Sequence, residues 1–193
     1  AAISSVLAEP TNLILEPGIP GHLGIARARA FREGDAEYVA FVDGDDEVMP
    51  GAFDAALTIL DADPGVVSTY CDLQLLDRPE GVGYIKPLWD PWRQLWNIAE
   101  VHHLHVMRRS AVEACLAELE QWDGYEEFVL MGLLAKFGRH YHIPRRLYRF
   151  RQHNAYRRAG SIGGSALFRE AYKLVAPILL GLHRAGICQR DAR

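Results

Sequence analysis

The sequence predicts an α/β fold, with a mainly parallel sheet flanked by helices, and three observations predict it. Strand-like and helix-like patterns alternate along the first eighty residues, an order typical of parallel strands joined by crossover helices. Residues 38–43, YVAFVD, form a near-continuous apolar run, as expected for a strand buried on both faces. Residues 50–65 have helical spacing between a proline near the first turn and a Pro-Gly stop.

The other elements of the first half follow in order. Residues 1–9, AAISSVLAE, have the apolar spacing of a helix end, and residues 11–18, TNLILEPG, predict a short buried strand closed by a Pro-Gly turn. A loop rich in glycine and proline then leads into a helix that begins near Leu23 and stops at Gly34. Residues 65–77, GVVSTYCDLQLLD, predict a further strand.

The second half is organised differently, and we see no internal repeat that would mark a second domain. Residues 101–110, VHHLHVMRRS, alternate like a strand, and residues 139–153 are extended and broken by Pro144. Helical spacing recurs in three segments, residues 111–122, 125–138 and 165–186. The last of these is an amphipathic helix, which we expect to pack on the domain or on a partner.

Composition narrows the class of protein. The 193 residues fit one domain, and a net charge of −4 gives no global basic field for nucleic acid. Three widely spaced cysteines without a CxxC pair argue against a disulfide framework or structural zinc, and for a reducing, cytoplasmic compartment. No uncharged apolar run approaches the roughly 20 residues that span a bilayer, so we expect no transmembrane span.

An acidic turn follows the apolar run of residues 38–43. Asp43, Asp45 and Asp46 repel one another at the carboxyl end of a predicted strand, where ligands bind in open α/β sheets. A divalent cation would relieve that repulsion, and oxygen ligands suit Mg²⁺ or Mn²⁺, which usually carry substrate phosphates as well. The alternative is a solvated turn in which Asp46 caps the helix after Pro50.

Three stretches together resemble the family 2 glycosyltransferases of the GT-A fold. Residues 38–53, YVAFVDGDDEVMPGAF, resemble the Asp-x-Asp segment of that family, and residues 21–30, GHLGIARARA, resemble its glycine loop. Residues 124–153 resemble its acid pair, helix and Ile-Pro strand with a Tyr-x-x-Arg-x-His ending. The resemblance covers roughly Leu7 to His153.

The resemblance implies a single GT-A, Rossmann-like domain over residues 1–193. Residues 1–80 would form the nucleotide-sugar and metal half, residues 81–153 the acceptor and catalytic half, and residues 154–193 a C-terminal lid and helix. The opening strand of the family is absent, so we expect either a longer natural chain or another segment in its place.

The metal and catalytic residues are also implied by the resemblance. Asp43 would lie near the ribose and the metal, and Asp45 would bind the metal that bridges the donor diphosphate. His153 matches the histidine that often completes the metal shell. Glu127 stands at the position of the catalytic aspartate, with Glu126 before it.

Donor contacts are expected from two basic segments. Gly24 and Arg27 belong to the stretch that resembles the glycine loop, although Arg27 and Arg29 would equally serve as surface cations on one helix. Arg151 lies in the extended basic segment and suits phosphate geometry, the alternative being a solvated basic strand.

The implied function is a metal-dependent, inverting glycosyltransferase that moves a sugar from a nucleotide-diphospho-sugar to an unknown acceptor, using Mn²⁺ or Mg²⁺. Two alternatives stay open: a nucleotidyltransferase, and a non-catalytic GT-A-like domain for carbohydrate binding or scaffolding. Three departures bear on the choice, namely Glu127 in place of aspartate, the altered glycine loop and the absent opening strand.

Histidines and tryptophans are secondary candidates. His102, His103 and His105 also invite interpretation as metal ligands, but no acid or cysteine stands nearby at ligand spacing, so ordinary strand histidines near an acceptor are favoured. We expect Trp96 in the core and favour the same for Trp89 and Trp92, the alternative for these two being a stacking surface for an acceptor.

Overall fold

A computed structural model describes residues 2–122, 124–152 and 166–189. The helices are α1 (Ala2–Leu7), α2 (Leu23–Arg32), α3 (Ala52–Ala62), α4 (Pro91–Trp96), α5 (Arg109–Glu113), α6 (Leu116–Leu119), α7 (Glu126–Leu134) and α8 (Ala166–Arg184). The strands are β1 (Tyr38–Ala40), β2 (Glu47–Val48), β3 (Val66–Leu75), β4 (Gly83–Tyr84), β5 (Val106–Arg108) and β6 (Arg139–Phe150).

The strands form one mixed sheet, in the order β1-β5-β3-β6-β2, with β4 pairing on β3. Within the described ranges β3 and β6 pair in parallel, whereas the β1–β5, β5–β3, β6–β2 and β3–β4 pairings are antiparallel. The prediction of a mainly parallel sheet was therefore too narrow. Alternating strands and helices occupy the first half of the chain, and the second half inserts β5 between β1 and β3 in the opposite direction.

Two strand predictions differ from the structure. The strand β1 is half-buried and lies at a sheet edge among the described strands, whereas burial on both faces was expected of it. Complete burial along the strand belongs instead to β3, which has β5 and β6 as neighbours. Residues 11–18 form no strand, and Leu15 is exposed, because an apolar run without a pairing neighbour gains no ladder of hydrogen bonds.

Apolar side chains pack on both faces of the sheet. One core lies under α2 and α5–α8 and includes Met107, Leu130 and Leu179, while the other lies under α1 and α3 and includes Leu60 and Tyr148. The prediction that the last helix packs on the domain is confirmed, since α8 contacts both α4 and α7. None of the helices in the described residues is sufficiently long and apolar to cross a membrane.

Candidate functional site

Arg27 is the centre of a buried charge cluster. It lies on α2 with its side chain only 6% exposed, so it is not a surface cation. Its Nη2 donates to Glu127 Oε1 at 2.8 Å and to Asp43 Oδ1 at 3.2 Å, and its Nη1 lies 3.5 Å from Glu126 Oε1. One guanidinium thus holds the acidic turn after β1 against the first turn of α7.

Gly24 allows α2 to approach closely enough for these contacts. A Cβ at this position would lie 2.2 Å from the Leu119 carbonyl oxygen and 2.8 Å from that of Trp122, distances that side chains do not adopt. The glycine therefore has a packing reason in this fold, whatever its part in donor binding. One turn of helix separates it from Arg27, which faces the carboxylates.

Burial and charge act in opposite directions on this cluster. Burial raises the pKa of Asp43 and of Glu126, and the Arg27 guanidinium partly offsets that rise for both. Burial acts to raise the pKa of Glu127, but its basic neighbours, first His103 and then Arg27, hold that pKa well below the usual value. Glu127 is therefore ionised at neutral pH, with Arg27 as its counter-ion.

The histidines that precede β5 join the same cluster. His102 Nε2 lies 3.4 Å from Glu127 Oε2, and His103 Nε2 lies 3.7 Å from Glu127 Oε1 and 3.6 Å from Asp43 Oδ2. The interpretation of ordinary strand histidines was wrong, since β5 begins only at Val106 and the acids come from distant parts of the chain. The available signal was the density of histidines, three in residues 102–105, immediately before a strand.

The imidazole ring of His103 is buried and is held by stacking. It is 1% exposed, and neither ring nitrogen has a hydrogen-bond partner within the described part of the chain. Its ring stacks on that of Tyr148, with centroids 4.9 Å apart and planes 17° apart. Burial lowers the pKa of His103 to about 4 and that of His102 to about 3, so both imidazoles are neutral at pH 7.

Asp46 is the buried member of the acidic turn. Its Oδ1 accepts a hydrogen bond from the backbone N–H of Arg151 at 2.7 Å, and burial raises its pKa to about 6. The alternative in which Asp46 caps the next helix is wrong, because the N-cap of α3 is Gly51. Asp45 is exposed, and its carbonyl oxygen accepts from Arg151 Nε at 3.2 Å.

Arg151 joins two acidic loops. Besides its bonds to the acidic turn, its Nη1 donates to Asp77 Oδ1 at 2.9 Å. Its side chain is about one-third exposed, so phosphate contact would require exchange of a surface carboxylate for a ligand. His153 and the glycine-containing lid of residues 154–165 lie outside the described residues.

Two groups of side chains have the composition and spacing of a metal site. One consists of Asp43, Asp46 and His103, and the other of His102, His103 and Glu127. In each group three ligand atoms, one per residue, lie within 4.8 Å of one another. Among the described residues Asp45 is in neither group, although it is adjacent to the first in sequence.

Trp89 and Trp96 lie in opposite environments. Trp89 is fully buried and donates from Nε1 to Gln94 Oε1 at 2.7 Å, so it belongs to the core. Trp96, expected in the core, is 65% exposed and packs edge-on against Trp92 with ring centroids 5.5 Å apart. The sequence could not separate them, because three tryptophans within eight residues share one local composition.

Comparisons with known proteins support the fold. No family model matches the chain, and no curated protein matches its sequence. The TarS protein of S. aureus (residues 1–349), crystallised with UDP, matches with a TM-score of 0.54 and 16% identity over 86% of this chain. The UDP-GlcNAc complex of TarS matches with a TM-score of 0.54 and 14% identity over 69% of this chain.

The chain spans 52% of TarS in the UDP complex and 40% in the UDP-GlcNAc complex, about half of the neighbour's length. A further crystal structure of S. aureus TarS matches with a TM-score of 0.53 and 15% identity, over 84% of this chain and 31% of that one. At these identities the similarity concerns the fold, and it supports a GT-A-like α/β fold for this chain.

Proposed function

We propose that this chain is the donor-binding and catalytic part of a metal-dependent, inverting glycosyltransferase that uses a nucleotide-diphospho-sugar. The observation that carries the proposal is the gathering of Asp43, Glu126 and Glu127 around the buried guanidinium of Arg27. Such an excess of carboxylates is costly unless a cation joins it. The fold is shared with TarS, whose crystal structures hold UDP and UDP-GlcNAc, and a UDP-sugar is therefore the first donor to test.

The acidic turn is the proposed site of the donor cation. Asp43 and Asp45 are its proposed ligands with His153, and Asp46 lies in the same group as Asp43 with a buried Oδ2. Carboxylate oxygens fit Mg²⁺ or Mn²⁺, so the donor set suits the ion. When bound, the cation would offset the negative charge that grows on the departing nucleoside diphosphate.

Glu127 is the proposed base. Arg27 donates to Oε1 of Glu127, which leaves Oε2, the oxygen beside His102, free to act as the base. Oε2 would accept the proton of the acceptor hydroxyl while the hydroxyl oxygen attacks the anomeric carbon. Attack opposite the leaving diphosphate inverts the configuration. Glu126 would support this arrangement through its own contact with Arg27.

Arg27 acts in this proposal as a positioning residue. Three carboxylates already surround its guanidinium, so it fixes the base and the acidic turn relative to one another. Gly24 would serve the donor indirectly, by letting α2 carry Arg27 inward, and Arg151 would contact the diphosphate after leaving Asp77.

A non-catalytic sugar-nucleotide-binding domain is the second candidate, and one observation favours it. His103 and Arg27 keep the pKa of Glu127 low, and a low pKa weakens a general base. Both candidates predict donor binding, so only turnover distinguishes them.

Calorimetry of the full chain with UDP-GlcNAc, with and without Mn²⁺, tests the proposal. We expect Mn²⁺-dependent binding, its loss in Asp45→Ala, and its retention in Asp35→Ala, a change at an exposed aspartate between α2 and β1. Glu127→Gln should keep donor affinity and stop slow donor hydrolysis. Equal binding by Asp45→Ala would remove the cation site, and full hydrolysis by Glu127→Gln would place the base elsewhere.

A further inference from the structure

A second cluster within the site has a ligand chemistry that the acidic turn lacks. We infer that His102, His103 and Glu127 form a binding site for a transition-metal ion of the Zn²⁺ class, separate from the oxygen-only cation site of the acidic turn. The inference does not depend on the proposed transferase activity. It rests on the geometry, the burial and the unmet hydrogen-bonding capacity of these three side chains.

The ligand atoms are already close to a metal-binding arrangement. Bonds of about 2.0–2.1 Å place the ligand atoms of a tetrahedral zinc ion about 3.3–3.4 Å apart. His102 Nε2 and Glu127 Oε2 are 3.4 Å apart, and one ligand atom from each of the three residues lies within 4.8 Å of the other two. Metal binding would require the His103 side chain to bring its ligand nitrogen to that same spacing from the other two ligand atoms.

The unpartnered nitrogens of His103 point to a ligand. A buried imidazole without hydrogen bonds is costly, and its nearest acids, at 3.6 and 3.7 Å, are too distant for hydrogen bonds. A metal ion bound by Nε2 would satisfy the ring at the side that faces Glu127. The stacking on Tyr148 holds the ring in that orientation.

The donor set selects the metal class. Two imidazole nitrogens and one carboxylate are typical of zinc sites that keep an open position, and imidazole suits Zn²⁺, Co²⁺ and Ni²⁺ better than Mg²⁺. Solvent reaches this cluster, since the side chains of His102 and Glu127 are 16% and 18% exposed. Both imidazoles are neutral, which is the form that binds a metal.

Charge also favours a dication at this position. Asp43, Glu126 and Glu127 face one buried cation, Arg27, which contacts Glu127 through Oε1. An ion bound at Oε2 would therefore leave the bond to Arg27 intact. Occupancy would engage the oxygen proposed as the proton acceptor, so Zn²⁺ would inhibit any transfer that depends on Glu127.

Calorimetry with Zn²⁺ alone on the untagged full chain at pH 7, together with the visible absorption of Co²⁺, tests the site. We expect one ion per chain and a Co²⁺ spectrum of low-coordinate nitrogen and oxygen ligation. His102→Asn and Glu127→Gln should each weaken Zn²⁺ binding on the order of a hundredfold, since loss of even an outer partner costs about 10–100-fold. His183→Asn, a change at an exposed histidine on α8, is the matched control and should bind as the wild type does.

Two results would overturn the inference. One is unchanged Zn²⁺ affinity in both ligand variants, with thermal unfolding showing that they are folded. The other is loss of Zn²⁺ in Asp46→Asn but not in Glu127→Gln, which would assign the ion to the acidic turn and His103. Retention of Zn²⁺ by a chain that binds no UDP-sugar would count against the proposed function alone.

Discussion

Two buried polar clusters in this protein differ in how completely their groups are paired. In the first, the Arg27 cluster (Arg27, Asp43, His102, His103, Glu126 and Glu127), charges are in excess and both ring nitrogens of His103 have no hydrogen bond within the described residues. In the second, the His142 network (Asp72, His142 and Gln189), each side chain makes hydrogen bonds.

The His142 network links β3, β6 and the C-terminal segment by hydrogen bonds. His142 Nε2 bonds Asp72 Oδ1 at 2.8 Å, and Gln189 accepts from the His142 N–H at 2.6 Å and donates to its carbonyl oxygen at 3.1 Å. Beside it, His140 bonds Ser68 Oγ through Nδ1 and the Met131 carbonyl oxygen through Nε2. Satisfied buried groups of this kind hold β3, β6 and the C-terminal segment together.

This difference in pairing indicates which buried histidines and acids should be tested for ligands. Burial alone does not mark function, because both clusters are buried. Unmet hydrogen-bonding capacity combined with uncompensated charge marks a site at which a ligand lowers the free energy. Substitutions in the two clusters should therefore differ in their effects on stability and on metal binding.

The largest effect is expected from Arg27→Met. It leaves Asp43, Glu126 and Glu127 without their buried counter-ion, and breaking a buried ion pair costs about 3–5 kcal/mol. Denaturant unfolding measures the loss. Arg29→Met is the matched control on the same helix, where the side chain is 54% exposed and pairs with Glu16, and it should cost less than about 1 kcal/mol. Equal losses of unfolding free energy in the two variants would contradict the dependence of Asp43, Glu126 and Glu127 on a buried counter-ion.

An intermediate effect is expected from Asp72→Ala in the His142 network. The change leaves His142 Nε2 and the Lys86 N–H without their acceptor, and a buried unsatisfied group costs about 1–3 kcal/mol. Chemical denaturation should show that loss, while Zn²⁺ affinity stays at the wild-type value. In the control Asp77→Ala an exposed pair is lost, and the stability should change by less than about 1 kcal/mol. Weaker Zn²⁺ binding in Asp72→Ala would join the two clusters into one functional unit.

The smallest effect is expected from Asp46→Asn, and it depends on pH. Burial raises the pKa of Asp46 to about 6 in the folded state, above the value of about 4 in the unfolded chain, so stability falls as pH rises from about 4 to about 6 and stays low above that. Asn keeps the acceptor for the Arg151 N–H without the charge. Without added metal, its unfolding midpoint should exceed that of the wild type at pH 8, and by less at pH 5.

A midpoint rise of about 2–4 °C at pH 8 would correspond to about 1 kcal/mol in a chain of this size. Asp35→Asn removes an exposed charge as the control and should leave the midpoint at pH 8 near that of the wild type. A gain that is the same at pH 5 and pH 8 would exclude ionisation as the cause.

Local patterns predicted most helices and the long strands well. The helix near Leu23, the helix after Pro50 and the last helix are all present, because their apolar spacing and their stop signals lie within the helix itself. The strand over residues 11–18 and the full burial of β1 were not correct, because both depend on which strands pair alongside. The mixed sheet has the same cause, since strand direction depends on the path of the chain between strands.

The candidate site was predictable in part. Asp43, Asp45 and Asp46 are evident as an acidic turn after an apolar run, and the acid pair at Glu126 and Glu127 is evident at a helix start. The structure joins Glu127 to Asp43 through Arg27, although Glu127 is a hundred positions from Arg27 in the sequence. The histidines could not be assigned beforehand, because their acidic neighbours are close in space and distant in sequence.

Short-range patterns in the sequence were sufficient to predict the α/β class, the helices and the acidic turn, because periodicity, stop signals and local charge specify them. Only the packed chain shows that Arg27 is buried among carboxylates, that Trp89 rather than Trp96 enters the core, and that neither ring nitrogen of His103 has a hydrogen bond among the described residues. The physical reason is that burial, pairing and the resulting pKa shifts depend on distances between segments, and packing of the whole chain sets those distances.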